Sequence, residues 1–213
     1  SFLLKTLFLI FFTFKNSLSF EINEVAKGLF VHFGQQEDSN SINNGDIANI
    51  GFIVGSQSIA VVDTGGTPEI GMKLLKKIRE TSSLPISHII ITHSHPDHFF
   101  GTEAFISENV IIIGHENLER ALITNFEFYK NLQFNLIRQD SIKQTKLIVP
   151  NQTVEIGKIK TIDIGDREIE IKAWKSGHTD NDLSIYDKKT RFFWSENIFV
   201  ERTPSIRASI KGW

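Results

Sequence analysis

The sequence predicts an α/β protein in which buried strands alternate with amphipathic helices. Short continuous apolar runs, such as residues 88–92, are typical of strands covered on both faces. Between such runs, apolar residues recur at helical spacing. A chain of 213 residues is long enough for one domain with a sizeable core, and no Pro- or Ser-rich linker divides it. We therefore expect a single layered α/β domain.

The first half of the chain predicts a strand, a hairpin and a helix, in that order. Apolar and polar residues alternate toward the end of residues 24–33, which suits a strand. The apolar runs 49–54 and 58–63 are separated by a short Gly-containing segment, which predicts a hairpin. Apolar side chains at helical spacing then predict a helix over residues 69–81.

The same patterns predict the elements of the second half. In order, they are a strand at 88–92, a helix at 99–107, a strand at 110–113, a helix at 117–138, strand pairs around 153–164 and 168–174, a loop at 175–181, and strands at 183–186 and 191–194.

Composition narrows the classes of function. The formal net charge is −2, so nothing indicates a nucleic-acid partner, and we expect a small-molecule substrate. The chain contains no cysteine, which excludes disulfides, thiolate metal ligands and a cysteine nucleophile. Any metal must therefore be held by histidines and carboxylates.

The N-terminus predicts a signal peptide over residues 1–19. Lys5 precedes the apolar run 6–14, and the small residues Ser17 and Ser19 fit a signal-peptidase site. The run is too short to span a bilayer, which needs about 20 residues. We expect export to the periplasm or medium with no stable membrane span after cleavage, leaving residues 20–213 as the domain. The alternatives are a buried strand or an uncleaved anchor.

The segment after the predicted strand 88–92 carries four candidate metal ligands within six residues. They are His93, His95, Asp97 and His98. Imidazole and carboxylate groups suit zinc and related divalent ions. Because residues i and i+2 of an extended segment point to the same side, His93 and His95 can converge on one ion. Pro96 favours a turn, after which Asp97 and His98 can face a second ion.

This motif resembles the His-x-His-x-Asp-His signature of the metallo-β-lactamase superfamily. Residues 62–66 (Val-Asp-Thr-Gly-Gly) are similar to the strand-end element that precedes the metal loop, and residues 176–179 (Ser-Gly-His-Thr) to the element that supplies a third histidine. Residues 177–183 and 203–213 resemble a narrower branch, the exported quinoprotein relay system zinc metallohydrolases. That branch is similar to metallohydrolases of sulfur-oxidation operons, and its resemblance spans residues 21–213.

The resemblance implies an αββα sandwich with the site at one edge of its two sheets. His93, His95 and His178 would form the first metal site, and Asp97 and His98 would contribute to a second. The implied cofactor is zinc, as one or two ions, with iron as a possibility. The mechanistic hypothesis is that a metal-generated hydroxide attacks a carbonyl while Asp97, the catalytic residue, orients it and relays its proton.

Two features depart from the family pattern. Glu196 occupies the position where an Asp ligand is expected, so we predict it as a metal ligand with a longer reach. The family normally continues beyond the Gly-Trp at residues 212–213 to a further histidine ligand and closing helices. We therefore expect this chain to be truncated at its C-terminus, with an incomplete second metal site.

Other polar residues are candidates for supporting roles. Asp63 ends an apolar strand and could accept a hydrogen bond from a ligand histidine. Asp182 could support the loop after His178. Gly101 allows close backbone approach near the site. The polar segment 34–49 could overhang the site and contribute to selectivity.

The three remaining histidines are expected to have other roles. His115 follows a strand and either lines the pocket or starts a helix. His32 alternates with apolar neighbours and is predicted to face solvent from a strand. His88 precedes a buried strand and is predicted to be structural.

The predicted function is a zinc-dependent hydrolase of an ester, thioester, amide or lactam. Resemblance to the superfamily does not by itself indicate a β-lactamase, since the best-known subclasses use a cysteine in the second metal site. Two alternatives stay open, a mono-iron sulfur dioxygenase and a non-catalytic metal-binding accessory protein.

Overall fold

The computed structural model describes residues 20–195. This range forms two β-sheets that pack face to face, with helices on the outer face of the larger sheet, which confirms the predicted α/β class. The predicted signal peptide, Glu196 and the segment 203–213 lie outside the described residues. Within them, none of the helices is both long and apolar enough to cross a membrane.

The described elements alternate as the sequence predicts. The helices are α1 (Pro68–Thr81), α2 (Pro96–Phe99), α3 (Leu118–Ile137) and α4 (Asp140–Gln144), with a 3-10 helix at Thr102–Glu108. The strands are β1 (Asn23–Ala26), β2 (Leu29–His32), β3 (Ile50–Val54), β4 (Ile59–Val62), β5 (Ile86–Ile90), β6 (Ile111–His115), β7 (Gln152–Val154), β8 (Ile159–Asp163), β9 (Glu168–Ala173), β10 (Leu183–Asp187) and β11 (Phe192–Trp194).

The topology brings the carboxyl ends of four parallel strands to one edge. Within residues 20–195, the larger sheet has seven strands in the order β1 to β7, antiparallel up to β4 and parallel from β4 to β7. The smaller sheet has the order β11-β10-β9-β8 and is antiparallel. In open α/β sheets, ligands bind outside the carboxyl ends of the parallel strands.

The larger sheet separates two apolar cores. Side chains alternate across a strand with a period of two residues, so Phe52 packs with the helices while Ile53 packs with the smaller sheet. Ile169 and Ile171 of β9 complete the second core. The described residues thus supply helices, larger sheet and smaller sheet, which are three consecutive layers of the expected αββα sandwich.

The two long helices follow their local signals. Thr67 caps α1 by accepting a hydrogen bond from the backbone N–H of Ile70 at 3.3 Å, and Pro68 opens the first turn. Ile70, Leu74 and Ile78 are buried on one face of the helix, and Leu75 is partly buried. The predictions of helices over 69–81 and 117–138 are confirmed by α1 and α3.

The strand predicted at the end of residues 24–33 is confirmed by β2, while the mostly exposed β1, which a turn at Lys27 and Gly28 separates from β2, was not predicted. Two other local predictions need correction. Residues 153–164 supply β7 and β8, which belong to different sheets, whereas 168–174 holds the single strand β9. The helix predicted at 99–107 is replaced by the end of α2 and the 3-10 helix.

Candidate metal centre

The site lies at the edge where the parallel strands β4, β5 and β6 end. Asp63 follows β4, and Thr92 and His93 lie just beyond β5. The loop over residues 174–182 reaches the same edge from the smaller sheet. Its end is held there by Leu183, whose backbone N–H donates to the carbonyl oxygen of Thr92 at 2.8 Å. This hydrogen bond joins the two sheets next to the candidate ligands.

Three histidines converge at this edge. His93 Nε2 lies 3.1 Å from His95 Nδ1, and His178 Nε2 lies 2.9 Å from the same atom. One nitrogen from each ring lies within 4.8 Å of the others, although His95 and His178 are 83 positions apart in the chain. Two nitrogens on one tetrahedral zinc ion, each bonded at about 2.0–2.1 Å, would lie about 3.3 Å apart. The donor set and its spacing therefore fit a zinc-like cation.

The surroundings of His93 disfavour protonation of its ring. Burial lowers the pKa of His93 well below its usual value of 6.5, and charge on His98, His95 and His178 would lower it further. A neutral imidazole is the form that binds a metal ion. His93 is thus held in the neutral form that binding to a cation requires.

Thr92 sets the orientation of His93, and sequence reasoning missed this role. Its hydroxyl donates to Asp63 Oδ2 at 2.7 Å and lies 3.1 Å from His93 Nδ1. Since the hydroxyl proton is donated to Asp63, the hydroxyl oxygen can accept a hydrogen bond from Nδ1–H, which leaves the Nε2 lone pair facing the cluster. The signal was present, because Thr92 directly precedes the motif.

Asp63 holds the motif from below. It is fully buried and has a left-handed backbone with φ of 54°, which is uncommon for a residue other than glycine and is often found at functional sites. Its Oδ1 accepts from the backbone N–H of Thr92 at 2.8 Å, and its Oδ2 accepts from His98 Nδ1 at 2.8 Å. The predicted hydrogen bond between Asp63 and a motif histidine is confirmed, with His98 as the donor.

Asp97 and His98 lie beside the triad rather than within it. The ring of His98 is 4.1 Å from that of His93, centroid to centroid, and its Nε2 is 3.3 Å from Asp97 Oδ2. Burial by itself raises the pKa of Asp97, but interactions with His98 and His95 outweigh burial and lower that pKa to about 2. Asp97 therefore remains ionised at any physiological pH.

Gly101 allows the motif to pack tightly against the strand end, as predicted. Its backbone N–H donates to the carbonyl oxygen of Gly65 at 2.9 Å. A Cβ on Gly101 would lie 2.0 Å from the carbonyl oxygen of Thr64, closer than any side chain permits. A residue with a side chain would push the metal motif away from β4.

The His178 loop is held by its own hydrogen bonds. Asp182 accepts from the backbone N–H of Thr179 at 3.0 Å and from its hydroxyl at 2.5 Å. The N–H of Gly177 donates to the carbonyl oxygen of Thr179 at 2.9 Å. The prediction that Asp182 supports this loop is confirmed.

Two further residues near the triad were not singled out from the sequence. Asn181 donates to Ser94 Oγ at 3.1 Å, so it connects the two ligand loops. The ring of Tyr129, on α3, meets that of His95 edge-on at 6.3 Å between centroids. Asn181 lies close to His178 in sequence, but only tertiary packing brings Tyr129 to the site.

The segment 34–49 reaches the site at its tip. A Cβ on Gly66 would lie 2.4 Å from the carbonyl oxygen of Gly45 and 3.2 Å from the Cα of Asp97. Gln139 donates to Asn44 Oδ1 at 2.7 Å and ties the tip to the end of α3. The segment therefore lies beside Asp97, while its role in selectivity remains a prediction.

The remaining histidines are not members of the triad. His115 Nδ1 accepts from the backbone N–H of Asn117 at 3.0 Å, so its Nε2 is the donor to the carbonyl oxygen of Trp174 at 2.8 Å. This is a structural role that includes the start of α3. His88 is partly buried and hydrogen-bonds Ser87 at 2.8 Å, as expected of a structural residue.

The prediction for His32 is wrong. Its side chain is buried rather than facing solvent, and its ring stacks on Phe20 at 3.8 Å between centroids. Its two nitrogens face the carbonyl oxygen of Glu21 at 2.8 Å and Asp46 Oδ1 at 2.6 Å. The alternation of apolar residues in β2 indicated a solvent-facing position, but the segment 34–49 folds back and covers it.

Solved structures with a similar fold include two metallo-beta-lactamases. The enzyme from Pontibacter korlensis has a TM-score of 0.65 and 17% identity, covering 91% of this chain and 80% of its own. That from Hirschia baltica has a TM-score of 0.58 and 16% identity, covering 81% and 68%. At identities this low, the structural similarity shows a shared fold and nothing about activity.

Two characterised relatives share a shorter segment. A linear primary-alkylsulfatase from Pseudomonas sp. is 40% identical over 58 residues, which are 27% of this chain and 11% of that protein. The alkyl/aryl-sulfatase BDS1 from Saccharomyces cerevisiae is 36% identical over 64 residues, or 30% and 10%. The matched segment thus spans about a tenth of each relative.

The family assignment covers most of the domain. The sequence model of the metallo-beta-lactamase superfamily, whose members are generally metal-dependent hydrolases, matches residues 43–193. This range contains the strand-end Asp63, the motif 93–98 and the third histidine, His178. The fold, the converging histidines and this match agree, and the chain belongs to the metallo-beta-lactamase superfamily.

Proposed function

We propose that the protein is a zinc-dependent hydrolase in which His93, His95 and His178 hold the metal ion. The observation that carries this proposal is the convergence of three imidazole nitrogens from two distant loops within 4.8 Å. Burial and charge on the neighbouring histidines keep His93 from being protonated, which favours binding of a metal ion over binding of a proton. Membership of a family of metal-dependent hydrolases supports the same assignment.

The side chains around the triad have distinct proposed roles. A bound divalent cation supplies Lewis acidity, which acidifies a water molecule and stabilises negative charge on oxygen. The Asp97 carboxylate, ionised with a pKa of about 2, can accept a hydrogen bond from the attacking water and orient it. His98 is held by Asp63, and together with Asp97 it would contribute to a second metal site. Glu196 is the further proposed ligand.

The bond that is hydrolysed has two candidate classes. A carbonyl bond of an ester, thioester, amide or lactam suits a Lewis acid paired with an orienting carboxylate. A sulfate ester is the second candidate, and the specific observation that favours it is the similarity to two relatives named as alkylsulfatases. The narrower resemblance to quinoprotein relay metallohydrolases remains a prediction.

The test combines metal analysis with a substrate panel on the full chain. Protein reconstituted with zinc would be assayed against nitrocefin, an aryl ester, a thioester and a primary alkyl sulfate. We expect zinc at one or two equivalents and turnover of at least one substrate, lost on chelation and restored by zinc. Iron at one equivalent with oxygen consumption on a persulfide would instead identify a dioxygenase. Tight zinc binding without turnover of any substrate would favour the accessory role.

Export is a separate proposal. The basic residue Lys5, the apolar run 6–14 and the small residues Ser17 and Ser19 support cleavage after residue 19. Expression in a Gram-negative host should give a periplasmic or secreted protein whose first residue is Phe20. N-terminal sequencing of the fractionated protein tests this, and a cytoplasmic protein that retains residues 1–19 would contradict it.

A further inference from the structure

We propose that Asn181 is a positioning residue that sets the distance between the two halves of the histidine triad. The inference rests on the proposed metal-binding function. It concerns a residue that contacts none of the three ligand rings among its hydrogen bonds. Its role is instead to connect the loop that carries His178 with the loop that carries His93 and His95.

The connection runs through one buried amide. Asn181 is 1% exposed, and its Nδ2 donates to Ser94 Oγ at 3.1 Å and to Asp180 Oδ1 at 2.9 Å. Ser94 lies between His93 and His95 in the chain, and Asn181 lies three residues after His178. A single side chain therefore spans the gap between the two ligand loops.

The orientation of this amide is determined by its partners. A carboxylate can only accept, so the amide nitrogen must face Asp180, and the same nitrogen reaches Ser94. With the amide turned over, its oxygen would face the Asp180 carboxylate, which would be repulsive. The geometry thus assigns donation from Asn181 to Ser94, with the serine hydroxyl as acceptor.

The base of Asn181 is rigid. Its backbone N–H donates to Thr179 Oγ1 at 3.1 Å, and that hydroxyl is held in turn by Asp182 at 2.5 Å. Asp180 pairs with Arg120, and its carbonyl oxygen accepts from Asn117 Nδ2 at 3.0 Å. The loop is therefore anchored to the first turn of α3, and Asn181 transmits that position to the metal motif.

A second hydrogen bond between the loops restricts their movement relative to each other. The hydrogen bond from Leu183 to Thr92 joins the two sheets at one point, about which either loop could pivot. The contact between Asn181 and Ser94 provides a second point closer to the histidines. Metal–ligand distances must hold within about 0.2 Å, so two fixed points favour a preformed triad.

The amide oxygen of Asn181 makes no hydrogen bond within the described residues, which indicates that folding alone does not require asparagine at this position. Among residues 20–195, no group donates a hydrogen bond to Asn181 Oδ1, although this oxygen is buried. A buried acceptor without a hydrogen-bond partner destabilises the folded state. A leucine of similar size would remove that cost along with the two hydrogen bonds. A purely structural residue and a positioning residue therefore predict different outcomes for Asn181→Leu.

The experiment measures metal affinity and apo stability separately on the full chain. We expect Asn181→Leu to weaken zinc binding by about 10–100-fold in chelator competition, the range for residues that orient metal ligands. The melting temperature of the metal-free protein should change little, and the visible absorption of the cobalt(II) form should shift as its geometry relaxes. Asn131→Leu is the matched control, because Asn131 is exposed and bonds only within α3. It should leave zinc affinity unchanged.

Ser94→Ala completes a double-mutant cycle. It removes the acceptor of the same hydrogen bond, so the double variant should bind zinc no more weakly than Asn181→Leu alone. Unchanged affinity in Asn181→Leu, fully additive losses, or a loss matched by collapse of the apo melting temperature would each overturn the inference. Wild-type protein without zinc affinity would overturn it together with the proposed function. Tight zinc binding without any hydrolysis would remove only the latter.

Discussion

Two buried polar networks lie at opposite edges of the sheets and are built on opposite principles. One surrounds Arg167, where β9 begins and β10 ends, and the other surrounds the histidine triad, where β9 ends and β10 begins. Both connect the larger sheet to the smaller one. Their difference shows how a structural network can be told from a binding site.

The Arg167 network is complete within the chain. Its guanidinium donates to both carboxylate oxygens of Asp187, at 3.0 and 2.7 Å, and to the carbonyl oxygens of Lys27 and Val54, at 3.0 and 2.9 Å. Burial raises the pKa of Asp187, but hydrogen bonds from Arg167 and Thr190 outweigh burial and lower it. Opposite charges and matched donors and acceptors leave no place for a ligand.

The triad has the opposite character. Its members are chemically alike, and their nitrogens face one another at 2.9–3.1 Å. Positive charge on His95 or His178 would lower the pKa of His93, so protonating one ring disfavours protonating its neighbour. A bound cation would be favourable to all three rings. We therefore interpret this edge as a binding site and the Arg167 edge as a structural network that joins the two sheets.

The largest expected effect separates the triad from other histidines. His95→Ala should abolish both stoichiometric zinc binding and turnover, because it removes the ring that contacts the other two. Metal analysis and the substrate panel provide the measurements. His88→Ala, on a partly buried ring outside the triad, should retain both activities. Retained turnover in His95→Ala would exclude the proposed mechanism.

The next effect concerns the opposite edge. Arg167→Ala should lower the free energy of unfolding by about 3–5 kcal/mol, the usual cost of leaving a buried charge without its partner. Urea denaturation of the metal-free protein measures this. The exposed pair at the same edge offers a control, since Lys188→Ala should cost less than about 1 kcal/mol. Equal losses of unfolding free energy in the two variants would show that the Arg167 network does not hold the two sheets together.

A smaller loss of stability is expected from Asp63, whose carboxylate accepts hydrogen bonds from the metal-binding motif. Asp63→Asn replaces one carboxylate oxygen with an amide NH2 group. That group is a donor and would face another donor, either the backbone N–H of Thr92 or His98 Nδ1. The free energy of unfolding should fall by about 2 kcal/mol without metal. Asp140→Asn, in an exposed pair, should be neutral in the same titration. A neutral Asp63→Asn would mean that this carboxylate does not organise the motif.

The smallest effect is a pH dependence of the metal-free protein. The pKa of His93 is lowered in the folded state, so the unfolded chain binds the proton more tightly. Stability should therefore fall as the pH drops below about 6.5, by at most about 1.4 kcal/mol per pH unit from this group. The loss through Asp187, whose pKa is also lowered, comes at more acidic pH.

Comparison with His93→Gln isolates the contribution of this histidine. Unfolding free energies of both proteins would be measured between pH 7.5 and 5.5 after chelation. The difference in stability between wild type and variant should shrink or reverse as the pH falls. A constant difference would indicate that the cluster does not resist protonation.

Local patterns were enough for much of the fold. The helical spacing of Ile70 and its apolar neighbours predicted α1, and the two separated apolar runs predicted the hairpin of β3 and β4. The motif 93–98 indicated metal binding from the sequence alone, because two histidines at i and i+2 after a strand converge by local geometry. These features depend on residues within a few positions of one another, which the sequence displays directly.

The tertiary structure decided what depends on distant partners. Whether His178 meets His95, which sheet receives β7 or β8, and whether His32 is covered are all set by packing between segments far apart in sequence. Arg167 showed no signal at all, since its four acceptors come from three separate turns and strands. The physical reason is that period and local geometry are encoded over a few residues, whereas burial and long-range hydrogen bonds exist only after the sheets pack.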